Sequence, residues 1–514
     1  METLNNLLNG FGVALTWANL ALSLVGSVLG TIIGALPGLG PANGIAILIP
    51  IVFAMGLDPT QALILLVSVY YGCMYGGRIS SILLNIPGDE PALMTTLDGY
   101  PMARKGQVSE ALALSGVASF VGSFFALWGL VFLAPQLIKV ALLFGPAEYF
   151  AMFTLAFATL GGVASANVAK AGLATGIGLA IALIGVDGQT GVPRFTFGFM
   201  HLNDGIDFLI AIVGFFALSE VLVFIESHGT EHAHTSQPVK FENGGSKLPL
   251  SMLKLTAPTM ARGTVLGFIA GILPGAGASF GAFIAYVAEK KWLGKRGHFG
   301  QGDPRGVAAP ESGNNAAAGG TLVPMLALGV PGSATTAVLL GVLMSLDITP
   351  GPLLFTKNPD VVWGLIAALF IGNIMLLVMN LPMVGLFAKV LNIPVKYLMP
   401  GVVLISFVGV YGISGSIFDL YVMLGFGVMG WLFRKADIPL VPVVMALVLG
   451  EQMEKNLRRA LTISDGNLNI LWDSPLAMGL LVMAVVAFVA PLVWGRLFKG
   501  KPLLELPAQD EPAR

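Results

Sequence analysis

Long apolar runs, broken or bounded by glycine and proline, fill most of this chain and leave few polar interruptions. Fifteen such stretches can be traced between 17–36 and 475–498. A helix needs about 20 residues to cross a bilayer. Several stretches are shorter and several contain Gly or Pro. The pattern therefore predicts an all-α polytopic membrane protein with about 12 transmembrane helices and broken or re-entrant pieces between them. The longest polar interruption runs from Glu226 to about Lys254. It divides the chain into a first transmembrane half (1–227), a polar linker (228–251), a second half (252–498) and a polar tail (499–514).

One phrase stands in both halves. It reads Gly26-xxx-Gly30-xxx-Gly34-Ala-Leu-Pro37-Gly38-Leu-Gly40-xxx-Gly44, then Gly263-xxx-Gly267-xxx-Gly271-Ile-Leu-Pro274-Gly275-Ala-Gly277-xxx-Gly281, at an offset of 237 residues. Glycine at every fourth position leaves one helix face bare, so another backbone can approach. Proline lacks an N–H and ends or kinks the helix. The following Gly-x-Gly permits backbone angles closed to other residues. The helix can restart at Pro41-Ala42-Asn43 or Ala278-Ser279. Free N–H groups at a restart bind anions. Plain helix packing is the alternative for a lone GxxxG. The duplicated, proline-broken form points instead to a transporter's binding site.

Charge placement orients the two copies. Lys240, Lys247, Lys254, Arg262, Lys290, Lys291, Lys295, Arg296 and Arg305 flank the second, whereas Met1 to Tyr75 contains no Lys or Arg. Short cytoplasmic loops collect Lys and Arg. The second copy thus reads as a hairpin entering and leaving on the cytoplasmic side, and the first as its periplasmic counterpart. That predicts inverted repeats, each with a Pro-Gly-broken re-entrant hairpin and a broken helix; a parallel repeat of ordinary crossings is the alternative.

Composition agrees with a membrane protein. Hydrophobic residues make up 55% and charged residues 11%, against about 25% charged in soluble domains. A net charge of −1 gives no basic surface for nucleic acid. The single cysteine, Cys73, excludes an internal disulfide and a cysteine-built metal site. The N-terminus lacks the positive region of a cleaved signal peptide.

A second element follows each phrase. Tyr70 to Pro91 carries Gly76-Gly77-Arg78, Ser80-Ser81, Asn85-Ile86-Pro87-Gly88 and Asp89-Glu90. Glu311 to Thr336 carries Asn314-Asn315, Gly319-Gly320, Pro331-Gly332-Ser333 and Thr335-Thr336. The Gly-Gly and Pro-Gly pairs align one residue out of step. Neutral hydrogen-bonding groups suit a carboxylate without a fixed buried charge, and carbonyls freed at the breaks suit Na⁺. The candidate substrate-binding set is Pro37, Gly38, Gly40, Asn43, Arg78, Ser80, Ser81, Asn85, Pro87, Gly88, Gly275, Gly277, Ser279, Asn314, Asn315, Pro331, Gly332, Ser333 and Thr335. Arg78 could grip a carboxylate bidentately, or pair with Asp89 or Glu90. Asp89, Glu90 and Glu311 could be cation or proton sites, or simply end helices.

The phrases Ala35-Leu-Pro-Gly-Leu-Gly-Pro41, Tyr71-Gly-Cys-Met-Tyr-Gly-Gly77, Leu84-Asn-Ile-Pro-Gly88, Asp98-Gly-Tyr-Pro-Met-Ala-Arg-Lys-Gly106, Pro310-Glu-Ser-Gly-Asn-Asn315 and Leu328-Gly-Val-Pro-Gly-Ser333 resemble the TctA family. That family is the large membrane subunit of the tripartite tricarboxylate transporters. The resemblance spans about residues 15 to 495. It implies a multi-pass carrier of the bacterial inner (cytoplasmic) membrane, not an enzyme, importing a di- or tricarboxylate. It also implies a small membrane partner of the TctB type, a periplasmic binding protein of the TctC type, no cofactor, and Na⁺ or H⁺ as coupling ion.

A stand-alone channel or membrane-embedded enzyme is the rival. An enzyme would need a Ser/His pair or a clustered metal site, which the apolar spans lack. The tract His228 to His234 reads as solvated linker. No Gly-xxxx-Gly-Lys-Ser/Thr loop is present to bind ATP phosphates.

Overall fold

The computed structural model describes residues 2–162, 167–228, 248–391 and 395–497. Residues 229–234 of the histidine tract, most of the linker and the tail 499–514 lie outside them. The first half contains α1 (Glu2–Ala14), α2 (Trp17–Ala35), α3 (Gly40–Ala54), α4 (Pro59–Leu84), α5 (Leu93–Arg104), α6 (Val108–Ala141), α7 (Pro146–Gly162), α8 (Val168–Ala182), α9 (Phe208–Ile212) and α10 (Ser219–His228). A π-helical segment, Val213–Leu218, joins the last two. The second half contains α11 (Leu250–Ile272), α12 (Gly277–Leu293), α13 (Pro304–Leu328), α14 (Ala334–Ser345), α15 (Leu354–Lys357), α16 (Pro359–Asn380), α17 (Val384–Val390), α18 (Val395–Ser414), α19 (Ile417–Lys435), α20 (Leu440–Ile463), α21 (Ile470–Asp473) and α22 (Pro475–Leu497). One antiparallel pair, Gly185–Val186 with Pro193–Arg194, is the only sheet among the described residues.

The all-α class is as the apolar pattern predicts. Six described helices are long and apolar enough to cross a bilayer: α2, α4, α6, α16, α19 and the continuous helix from Phe208 to Glu226. Other apolar helices, such as α3, α8 and α14, are shorter because breaks cut the apolar runs. Large apolar side chains stand exposed on α18, α19 and α22, among them Leu404, Val408, Val428, Val482 and Val485. In water such a surface would be a liability; against lipid it is the expected exterior.

Two buried helices, α4 and α13, form the centre. Both start in the same way. Asp58 caps α4 by accepting from Gln61 N at 3.0 Å, and Asp303 caps α13 by accepting from Arg305 N at 3.0 Å. Proline follows at the first helical position of each, where its missing N–H costs nothing. The glycine stripes lie on these two helices. A Cβ at Gly26, Gly30 or Gly34 would overlap the carbonyl oxygens of Leu65, Val69 and Cys73 on α4. A Cβ at Gly263, Gly267 or Gly271 would overlap those of Ala309, Gly313 and Ala317 on α13. The two sets match at constant offset, position by position.

Polar contacts join the halves at the middle of α5. Asp98 Oδ1 accepts from the N–H groups of Gly300, Gly302 and Asp303 at 2.8–2.9 Å, and Oδ2 accepts from Tyr286 OH at 2.9 Å. The Asp98-Gly-Tyr-Pro motif thus fastens α5 to the α12–α13 connection.

Gly30→Val and Gly267→Val should each destabilise the fold by about 1–3 kcal/mol or more, since overpacking a tight contact forces backbone to move. Gly12→Ala should be silent, because nothing lies within 4 Å of a Cβ there. Thermal unfolding in detergent checks all three; silent Gly30→Val and Gly267→Val would contradict the close approach.

Candidate functional site

Both Pro-Gly phrases break their helix in the same manner. Leu36 and Leu273 leave the helix in extended conformation with ψ 120° and 121°. Gly38, Gly40, Gly275 and Gly277 then adopt φ of +84°, +60°, +81° and +66°. Only glycine enters this region without strain. The chain doubles back: a Cβ at Gly44 would press on Ile33, and one at Gly281 would lie 3.5 Å from the Gly267 Cα.

Each break is clamped to the end of the neighbouring central helix. Gly38 N–H donates to the Gly88 carbonyl at 3.1 Å, and Gly275 N–H donates to the Gly332 carbonyl at 3.1 Å. Both central helices end in a left-handed residue, Asn85 at φ 59° and Gly329 at φ 72°. The turn leading into the next helix is then held by matched residues. Asp89 Oδ1 accepts from Ala92 N at 3.0 Å, and Ser333 Oγ accepts from Thr336 N at 3.2 Å. A Cβ at Gly40 would lie 3.7 Å from the Asp89 Cβ, and one at Gly277 would lie 3.6 Å from the Ser333 Cβ. Each cradle therefore collects four helix ends: the C-terminal ends of α2 and α4 with the N-terminal ends of α3 and α5, or α11 and α13 with α12 and α14.

This geometry resets the sequence alignment. Gly76 packs on Thr31 and Gly320 on Phe268. Gly76 therefore matches Gly320, and Gly77 matches Thr321. The single-residue slip between the Gly-Gly pairs disappears.

The two cradles touch. Ser279 Oγ donates to Glu90 Oε2 at 3.3 Å, and Tyr70 OH lies 3.3 Å from Thr321 Oγ1 across α4 and α13. Of the candidate residues, Pro37, Gly38, Gly40, Pro87, Gly88, Gly275, Gly277, Ser279, Pro331, Gly332 and Ser333 lie at the breaks. Thr335 is buried in the first turn of α14. Ser80 and Ser81 bond back to the Gly77 carbonyl at 3.2 and 2.9 Å. Asn85 is exposed.

Asn314 is buried with its Oδ1 unpartnered, and Arg78 and Asn315 belong to a different cluster. Arg78 is fully buried. Its Nη1 donates to the Leu112 carbonyl at 2.6 Å and to Ser115 Oγ at 2.7 Å, and its Nη2 to Asn380 Oδ1 at 3.3 Å. Glu311 Oε1 accepts from Thr95 at 2.5 Å and Oε2 from Ser119 at 2.8 Å. Ser123 reaches Asn315 Oδ1 at 3.4 Å. Ser115, Ser119 and Ser123 form a ladder on one face of α6, where side chains four apart are neighbours. Sequence reasoning missed this ladder, although its spacing was readable.

Glu220 was also missed. It accepts from Asn43 Nδ2 at 3.4 Å, pairs with Arg434, and sits opposite Gly38. With Leu36, Pro37 and Leu39 it lines a cavity of about 210 Å³. A larger cavity of about 520 Å³ lies away from the breaks, between the 185–206 connection and α20. Asp187 ties its wall together, pairing with Arg194 at 3.4 Å and Arg458 at 2.7 Å. The N–H groups of Thr190 and Gln189, with Arg458 adding attraction, hold its carboxyl down to about 2.

Paired helix breaks in an all-α fold with membrane-length helices are a feature of membrane transporters. The chain belongs to the tripartite tricarboxylate transporter TctA family, whose family model matches residues 20–445. It is 38% identical over 493 residues to an uncharacterised 52.8 kDa protein of the TAR-I ttuC' 3' region of Agrobacterium vitis, covering 96% of this chain and 97% of that protein. It is also 37% identical over 227 residues to an uncharacterised protein of the TAR-II ttuC' 3' region of Agrobacterium vitis, covering 44% of this chain and 94% of that protein. No solved structure matches. Membership makes the chain a membrane component of a transport system that has other components.

Arg78→Gln should lower folding stability by about 3–5 kcal/mol, as removing one member of a buried charged network does. A normal thermal midpoint would show that the guanidinium is not holding the helices together. Asp187 gives a pH signature. A depressed carboxyl contributes stability above its unfolded value of about 3.9 and loses it as pH falls towards the folded value. Amide protection factors over residues 185–194 should stay high above about pH 4 and fall below it.

Proposed function

We propose that this chain is the large membrane subunit of a tripartite secondary transporter that imports an organic di- or tricarboxylate across the bacterial inner membrane. A periplasmic binding protein of the TctC type delivers the substrate, and a small membrane subunit of the TctB type completes the complex. A Na⁺ or H⁺ gradient drives uptake.

The observation that carries this reading is the matched clamp, Gly38 N–H to Gly88 and Gly275 N–H to Gly332, in a chain of a transporter family. Duplicated breaks place unpaired helix ends where irregular backbone is tolerated only if it lines a cavity or is buried in protein. The two halves run as inverted repeats, the first break entering from the periplasm and the second from the cytoplasm. The Lys and Arg distribution supports this sidedness. The second cradle carries hydroxyls of its own half, with Ser333 and Thr335 at the start of α14. It suits a carboxylate, which helix N-terminal ends attract.

Reconstitution tests the proposal. Vesicles holding this chain with both partners should take up a carboxylate down an imposed Na⁺ or proton gradient, whereas the chain alone should transport poorly. Uptake that requires ATP and no ion gradient would overturn the secondary-carrier reading. Topology is tested separately in a Cys73→Ser background. A cysteine at Lys291 should be protected from a periplasmic impermeant reagent and one at Asp58 should react; identical behaviour would overturn the inverted arrangement.

A further inference from the structure

The connection between α8 and α9 carries an aromatic tip with little of the protein around it. Phe195, Phe197, Phe199 and Met200 are 58%, 78%, 56% and 81% exposed. Phe195 and Phe197 both have φ of 51°. A bulky side chain is an outlier in that region, and such strain persists only where the surrounding structure holds it. Thr196 between them is buried. The strained backbone thus displays both rings outward.

The stem behind the tip is charged. Gly185 and Val186 pair with Arg194 and Pro193. Arg194 then bonds Glu454 of α20 at 2.7 Å, and Asp187 joins Arg194 and Arg458. The connection is therefore amphipathic along its length, with ion pairs at the base and apolar rings at the end.

Its neighbours fix its depth. The continuous helix from Phe208 to Glu226 runs from this connection to the polar linker. Glu226 pairs with Lys435, the last residue of α19, at 2.5 Å. The start of α19 therefore shares the connection's end of the molecule. Phe199 and His201 lie against Phe418, the second residue of α19, with ring centroids 6.1 and 5.0 Å apart. From Ile417 the exposed apolar positions of α19 continue as Tyr421, Leu424, Val428 and Leu432, which their spacing puts on one helix face. That face belongs to the lipid-facing exterior described above. The tip prolongs it at the level where α19 enters the bilayer.

We propose that residues 195–200 form a membrane wedge, seated at the headgroup–acyl boundary of the leaflet that faces away from the linker, with lipid as its ligand. Apolar faces of amphipathic segments settle at that boundary, and aromatic side chains collect there. Taking the rings out of water offsets the strained backbone that displays them. A protein partner suits the tip less well. Residues 195–200 include no Tyr, Trp or Arg, the residues that anchor protein interfaces, and Thr196, their one hydroxyl, is buried. The wedge steadies one wall of the 520 Å³ cavity, which Asp187 and Arg194 line. It stands apart from the import reading and from which face is periplasmic, so either could fail and leave it intact.

Spin labels on single cysteines in a Cys73→Ser background test it, in lipid vesicles holding the full chain alone. Oxygen concentrates in lipid and a nickel chelate stays in water, so their collision rates with each label report its surroundings. Labels at Phe197→Cys and Met200→Cys should show an oxygen-to-nickel accessibility ratio severalfold above that of Gly188→Cys. Gly188 lies in the turn beside Asp187, where nothing is within 4 Å of a Cβ. Met200→Cys carries the test if Phe197→Cys does not fold. Nickel access at the tip equal to that at Gly188 would overturn the wedge and assign the tip to a water-borne partner. Protection of the tip from both reagents would also overturn it, assigning the rings to a contact with a second copy of the chain.

Discussion

The constraint on which this fold depends is that a backbone broken inside a membrane must find partners for its own polar groups. Each unsatisfied N–H or C=O in hydrocarbon costs several kcal/mol. The chain meets this by breaking helices in pairs and joining break to break. Gly38 bonds Gly88, and Gly275 bonds Gly332, at the same distance of 3.1 Å. Such a bond requires two backbones to come closer than side chains allow. That is why glycines line α2 and α11 over three turns before each break, and why they face carbonyls of α4 and α13. The stripe is the approach, and the clamp is its end point.

Buried charge follows a similar logic. Arg78 and Glu311 are both buried, but no direct ion pair joins them. The α6 ladder stands between. Ser115 takes a hydrogen bond from the arginine, and Ser119 gives one to the glutamate. Hydrogen bonds to charged groups are stronger than neutral ones, so neutral hydroxyls can hold two opposite charges in register. The ladder also ties α4 and α5 of the first half to α13 of the second, through Thr95, Ser119 and Ser123. The sites at the breaks are thus hung on helices whose mutual placement is set by polar contacts deep in the bundle.

How much of this was legible in the sequence depended on range. The Pro-Gly phrases were, because a broken helix needs residues whose backbone angles or missing N–H are special, and those leave a local signature. The duplicate was, because its offset is constant. The Gly-Gly pairing in the second element is one residue out: Gly76 matches Gly320, as the contacts with Thr31 and Phe268 reveal. Arg78 looked like a site residue because a charge in an apolar run demands a partner. Its partners, Leu112, Ser115 and Asn380, are distant in sequence and could not be read. Glu220 was invisible for the same reason, since it meets Gly38 and Asn43 only after the chain has folded.

Two copies of one backbone device would be redundant if they carried one chemistry. The matched positions show that they do not. Aspartate faces serine at 89 and 333, arginine faces leucine at 78 and 322, and Tyr70-Tyr71 faces Asn314-Asn315. Residues held by the clamp geometry are glycine in both copies, Gly38 and Gly275 because their φ is positive and Gly88 and Gly332 because a carbonyl lies where a side chain would start. Residues that merely project from the clamped ends are free to diverge. One divergent pair, 89 and 333, lies just before a helix; the others, 78 with 322 and 70–71 with 314–315, lie within α4 and α13. The contact of Ser279 with Glu90 crosses from one cradle to the other, so a displacement at the first break is felt at a wall of the second.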